Sequence, residues 1–105
     1  MRPISKKNRE EIDRNDYFRY CARAGPDCDG RITIEHAFIY AGRQIDRVWA
    51  FVPLCWHHHL GVGLDKELNQ AIALLNATDE DLLEYPRTDW VQMKRYLFGK
   101  YGLKG

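Results

Sequence analysis

The stretch Phe51-Val-Pro-Leu-Cys-Trp-His-His-His59 joins an apolar run to a cysteine and three consecutive histidines. Upstream, Cys21 and Cys28 enclose a loop containing Gly25, Pro26, Asp27, Asp29 and Gly30. Together these give Cys21-x6-Cys28 and Cys55-x2-His58, two pairs of soft or borderline donors, which is the ligand set that tetrahedral structural zinc takes. The first spacing is looser than the common zinc knuckle and the second is conventional. His57 is an alternative fourth ligand at a poorer spacing from Cys55. The competing reading makes the cysteines small buried hydrophobes. Their position at loop ends, beside clustered histidines, favours the metal. A four-ligand site is closed, so this zinc is expected to hold the fold and do no chemistry.

Outward from this centre, Arg31 to Glu35 alternates, with Ile32 and Ile34 on one side, and predicts a short strand. Its partner is Val48 to Leu54, where Pro53 restricts the strand to an edge or an end. The segment 37–47 is too long for a tight hairpin and reads as an irregular loop with a helical turn. Gly61 and Gly63 interrupt a helical reading that begins near Trp56. Glu67 to Asn76 places Leu68, Ile72 and Leu75 on one helix face, which is expected to meet the core. Thr78 reads as the N-cap of a short helix through Leu83, with Asp79, Glu80 and Asp81 at its positive end. Pro86 suits the start of a last helix running to about Gly99, with Trp90, Lys94, Leu97 and Phe98 near one side. Residues 10–20 form a weak helix, and residues 1–9 read as a flexible basic arm.

These pieces fit one domain. The chain has 105 residues, 45% hydrophobic and 30% charged, which excludes a disordered or repetitive chain and suits a modest core. Sixteen Lys and Arg against 15 Asp and Glu give +1, so overall charge is no argument for nucleic acid. The basic residues do gather at the two ends, Arg2, Lys6, Lys7 and Arg9, and Lys94, Arg95, Lys100 and Lys104. Three cysteines argue against a closed disulfide framework. No apolar stretch approaches the length of a bilayer span and no apolar run follows the basic start, so the expected location is cytoplasmic.

A second group of residues invites a chemical reading. Glu35 and His36 end the first strand, and His59 stands beside the zinc pair. Glu35 and His59 suit a divalent ion, and His36, with an unperturbed pKa near neutrality, suits a general base. Singly, each is better read as a structural residue.

At this point Arg31-Ile-Thr-Ile-Glu-His-Ala37 and Phe51-Val-Pro-Leu-Cys-Trp-His-His-His59 resemble a zinc-stapled HNH nuclease of the ββα-metal type, over residues 21–65. The resemblance implies an α+β fold: a small ββα-metal core with a short β-hairpin and a structural zinc, followed by additional C-terminal helices over 66–105. It matches Glu35 to the metal-binding position, His36 to the general base and His59 to the catalytic metal histidine. His58 stands where the last zinc cysteine usually stands. Two departures matter: the family's middle asparagine is Ala50 here, and a further metal histidine found in some members falls on Gly63.

The activity so implied is metal-dependent endonuclease hydrolysis of DNA phosphodiesters. His36 takes a proton from water, and magnesium, manganese, nickel or zinc on Glu35 and His59 stabilises the phosphoryl oxygens. Arg43, Arg47 and Lys66 are the candidate phosphate contacts, with ordinary surface charge as the equal alternative. The missing asparagine keeps another class open, a non-catalytic zinc-binding module that contacts nucleic acid or a protein partner. A zinc deaminase fits poorly, because Glu35 directly precedes His36 and Leu54 separates Pro53 from Cys55.

Overall fold

The structure, a computed structural model, describes residues 4–61 and 65–103. Arg2, Gly63 and Lys104 lie outside the described residues, and with them the expected break at Gly63 and part of the two basic ends. The architecture is α+β: a small sheet core with C-terminal helices and a potential structural metal cluster.

Strand β1 (Ile32–His36) pairs antiparallel with β4 (Phe51–Cys55), in a register that sets Ile32 opposite Cys55 and His36 opposite Phe51. Pro53 is tolerated because a two-stranded sheet has only edges. Its carbonyl accepts from Ala22 N at 2.8 Å, which ties the first cysteine loop to the sheet. All five residues of β4 are buried.

The segment between these strands differs from the expected irregular loop. Two short strands, β2 (Ile39–Tyr40) and β3 (Arg43–Gln44), form a small hairpin. Its turn holds Ala41 at φ 51° and Gly42 at φ 81°. A 3-10 turn over Val48–Ala50 then occupies the expected start of the second strand.

Helix α1 (Lys6–Arg14) begins within the expected arm, where the Ser5 side chain accepts from Asn8 N. Asn8 Nδ2 donates to both the carbonyl and a carboxylate oxygen of Asp46 at 3.0 Å, docking a charged helix on the hairpin side. Helix α2 (Trp56–His59) follows β4 directly.

Helix α3 (Lys66–Asn76) buries Asn69, Ala71, Ala73 and Leu74. The expected face, Leu68, Ile72 and Leu75, is therefore turned away from the deepest contact, and Leu75 is exposed. Alanines let the helix approach the sheet closely, whereas the longer side chains flank that contact. Helix α4 (Asp79–Leu83) has a complete capping box between Thr78 and Asp81. Helix α5 (Trp90–Tyr101) starts later than Pro86 implies, because Asp89 supplies the cap to Gln92 N. The core joins Phe38, Trp49, Leu54, Leu74, Leu82 and Leu97, with Trp90 edge-on to both Phe38 and Trp49. Ile12, Phe18 and Phe51 form a smaller cluster beneath α1.

Candidate metal centre

The four residues of the expected zinc set meet. Cys21 and Cys28 come from the loop before β1, Cys55 from the end of β4, and His58 from α2. Their ligand atoms all lie within 4.8 Å of one another. His58 Nδ1 stands 3.4 Å from Cys21 Sγ, 3.7 Å from Cys28 Sγ and 3.2 Å from Cys55 Sγ. Cys21, Cys55 and His58 are buried, and Cys28 sits at the surface.

These distances test whether the donors fit an ion. Zinc–sulfur bonds of about 2.3 Å and zinc–nitrogen bonds of about 2.0 Å on a tetrahedron give S···N edges of roughly 3.6 Å. The observed edges span 3.2–3.7 Å. Hydrogen bonding explains the arrangement less well, since one imidazole nitrogen offers one proton or one lone pair and cannot satisfy three sulfurs.

Electrostatics point the same way. Burial pushes the Cys55 thiol up, but backbone hydrogen bonds at Asp29 and His58, together with hydrogen bonds from the Cys28 and Cys21 side chains, outweigh it and bring its pKa down to about 6. A backbone bond at Gly25 favours the Cys28 thiolate, yet burial and the neighbouring Cys55 and Cys21 sulfurs hold that thiol above its usual value. A cation among the sulfurs relieves that mutual repulsion. The Cys3His cluster is thus consistent with structural zinc held by Cys21, Cys28, Cys55 and His58. His57 is not in this set. It belongs to a second group with Asp27 and His58, in which Asp27 Oδ2 lies 3.2 Å from His58 Nε2 and 3.7 Å from His57 Nε2. The hydrogen bond with His58 holds the Asp27 carboxyl below its ordinary range. Sequence reasoning missed Asp27, although its place one residue before Cys28 was a usable signal.

Glu35, His36 and His59 are each buried, at 7%, 4% and 7% exposure. His59 Nε2 lies 3.7 Å from Glu35 Oε1, and Lys66 Nζ lies 3.6 Å from Glu35 Oε2. Thr33 donates its only hydroxyl proton to Leu54 O at 3.0 Å. Its oxygen also lies within hydrogen-bond distance of His59 Nδ1, on the ring edge away from Glu35. Thr33 and Lys66 were not anticipated in these roles. His36 packs edge-on against Phe51, and its Nδ1 is buried without a protein partner. Burial lowers its pKa, against the opposing pull of Glu35 and Asp46.

This geometry overturns the expected metal-dependent endonuclease. Of the two groups of possible metal donors, the four-donor one is the Cys3His set, with three of its ligands buried; Asp27, His57 and His58 form the other and share His58 with it. Four protein donors leave no coordination position for water or phosphate. Glu35 and His59 belong to no three-donor group among the described residues, and Lys66 Nζ and His59 Nε2 lie 3.6 and 3.7 Å from the Glu35 carboxylate. The buried, closed cluster argues against a nuclease or hydrolase site, and no donor group among the described residues stands apart from it to hold a catalytic magnesium, manganese, nickel or zinc. Two of the three expected phosphate contacts have acidic partners. Arg47 meets Glu84 at 2.9 Å and Lys66 meets Glu35, while Arg43 is exposed on the hairpin. Among the described residues, no helix is long and apolar enough to cross a membrane.

No family model, curated protein or solved structure matches this chain.

Proposed function

We propose that the chain is a non-catalytic, zinc-stapled module that acts by binding a protein partner. The closed Cys3His cluster supports the absence of chemistry. The order β1, β4, α2 supports reading 21–65 as an HNH-like scaffold put to a structural use. The observation that carries the partner reading is the apolar cleft between α4 and α5. Leu83 and Val91 are 74% and 69% exposed there, beside Leu82, Pro86 and Trp90. Asp79, Asp89 and Lys94 lie on its rim, where Lys94 Nζ stands 3.8 Å from Asp79 Oδ1 and Asp89 caps α5. The chemistry fits a protein segment with an apolar anchor.

A photo-crosslinking amino acid at Leu83 tests this in the native cell. The expected result is a discrete crosslinked protein species, absent when the crosslinker stands at Glu10 and lost with Val91→Asp. Equal labelling from both positions would sink the partner reading.

A nucleic-acid contact is the second reading, favoured by the exposed Lys6, Lys7 and Arg9 on α1, which Asn8 anchors to Asp46. Salt-dependent binding of duplex or single-stranded DNA or RNA, lost when Lys6 and Lys7 become Glu, would replace the protein reading with this one.

A further inference from the structure

We propose that Asp27 is the positioning residue of the metal centre, accepting Nε2–H of His58 and thereby aiming Nδ1 at the three sulfurs. The inference rests on the structural-zinc reading of Cys21, Cys28, Cys55 and His58. His58 bridges two environments. Nδ1 faces the sulfurs at 3.2–3.7 Å, and Nε2 faces Asp27 Oδ2 at 3.2 Å. An ionised carboxylate only accepts, so the imidazole proton belongs on Nε2 and the lone pair on Nδ1. That is the tautomer a metal at Nδ1 requires.

The carboxylate also fixes the ring's rotation, since only one edge of a buried imidazole can reach it. The His58 side chain is 4% exposed, whereas that of Asp27 is 62% exposed, so the pair runs from the interior to the surface. Two features hold the carboxylate in place. Cys28 follows it directly in the chain, and His57 Nε2 lies 3.7 Å from the same oxygen. The His57 amide donates to Asp29 O at 3.1 Å, locking α2 against the loop that carries Asp27. A carboxylate behind a metal-bound histidine orients the ring and raises its donor strength, and losing such a partner costs about 10–100-fold in metal affinity.

The test begins with the zinc content of the unmodified chain, followed by zinc transfer to a chromophoric chelator and ¹⁵N-imidazole NMR of His58. One zinc per chain, with His58 protonated at Nε2 and that proton protected from solvent, is expected. Asp27→Ala should release zinc about 10–100-fold faster and lose the protection. Asp27→Asn, whose amide oxygen still accepts, should fall between. A loop residue with a merely structural role would leave the His58 proton unmoved. Release within twofold in Asp27→Ala with the proton still protected overturns the assignment. So does a zinc-bound unmodified chain whose Nε2 carries no proton, a result that needs no variant to fold. A chain that binds no zinc refutes the zinc reading itself, a separate outcome.

Discussion

Gly30 stands where the loop of Cys21 and Cys28 meets the helix that carries His58. Its φ of 85° lies in the left-handed region, and a Cβ built there would sit 2.6 Å from Trp56 Cβ. Both backbone and space therefore demand glycine. Gly30→Ala should destabilise the fold by about 1–3 kcal/mol in urea unfolding and speed zinc release, because relief means moving Trp56 and, with it, the α2 histidines. A variant that unfolds and releases zinc like the unmodified chain would show that the loop and α2 are less tightly fitted. The same scale explains the lost nuclease reading. Residue identities at 35 and 59 suggested an ion site and that at 36 a general base, but identity does not disclose that Lys66 stands beside Glu35 and Thr33 beside His59.

At the level of elements, the C-terminal layer depends on the junction of α3 and α5. Asp65 caps α3, accepting from Leu68 N at 3.2 Å, and accepts Tyr101 Oη–H at 2.9 and 3.0 Å. Burial pushes its pKa up, but the bonds from Leu68 and Tyr101 win and leave it lowered. A depressed carboxyl stabilises the fold above the unfolded pKa, near ~3.9, and that contribution fades as pH falls through the lower folded value. The stability gap between the unmodified chain and Asp65→Asn should be full at pH 7 and narrow below about pH 4, as read by chemical unfolding across pH. A gap independent of pH would mean the carboxylate charge is immaterial.

Elements whose signals are local were legible in the sequence. Alternation around Ile32 and Ile34 marked β1, Thr78 marked α4, and the span of α3 was read within a residue of its start. Others depend on tertiary partners. The β2–β3 hairpin turns on Ala41 and Gly42, without the Asn-Gly or Asp-Gly signal of such turns. Helix α1 is held by Asn8 against Asp46, a contact no spacing announces. The buried side of α3 is made of alanines and Asn69, which periodicity of large apolar residues overlooks. The metal cluster was legible because zinc accepts few residue types in few spacings. The approach of Asp27 to His58 left only one local signal, its place directly before Cys28.

For the whole molecule, the staple joins the loop before β1 to the helix after β4, across 37 residues from Cys21 to His58. It supplements a core divided between two clusters. Removing zinc with a strong chelator should lower the melting temperature by more than ~10 °C and broaden the NMR spectrum of residues 21–60. An unchanged melting temperature would mean that the sheet and aromatic core suffice.

Strand register and ion capture are coupled in this arrangement. Cys55 is paired with Ile32, and a one-residue slip would turn Cys55 to the opposite side of the sheet. The slipped chain keeps a comparable number of sheet hydrogen bonds but cannot assemble its four donors. A zinc ion held by these four donors would thus proofread the alignment of the two strands: a misaligned hairpin would forfeit the ion, and only the correctly paired one would be locked in.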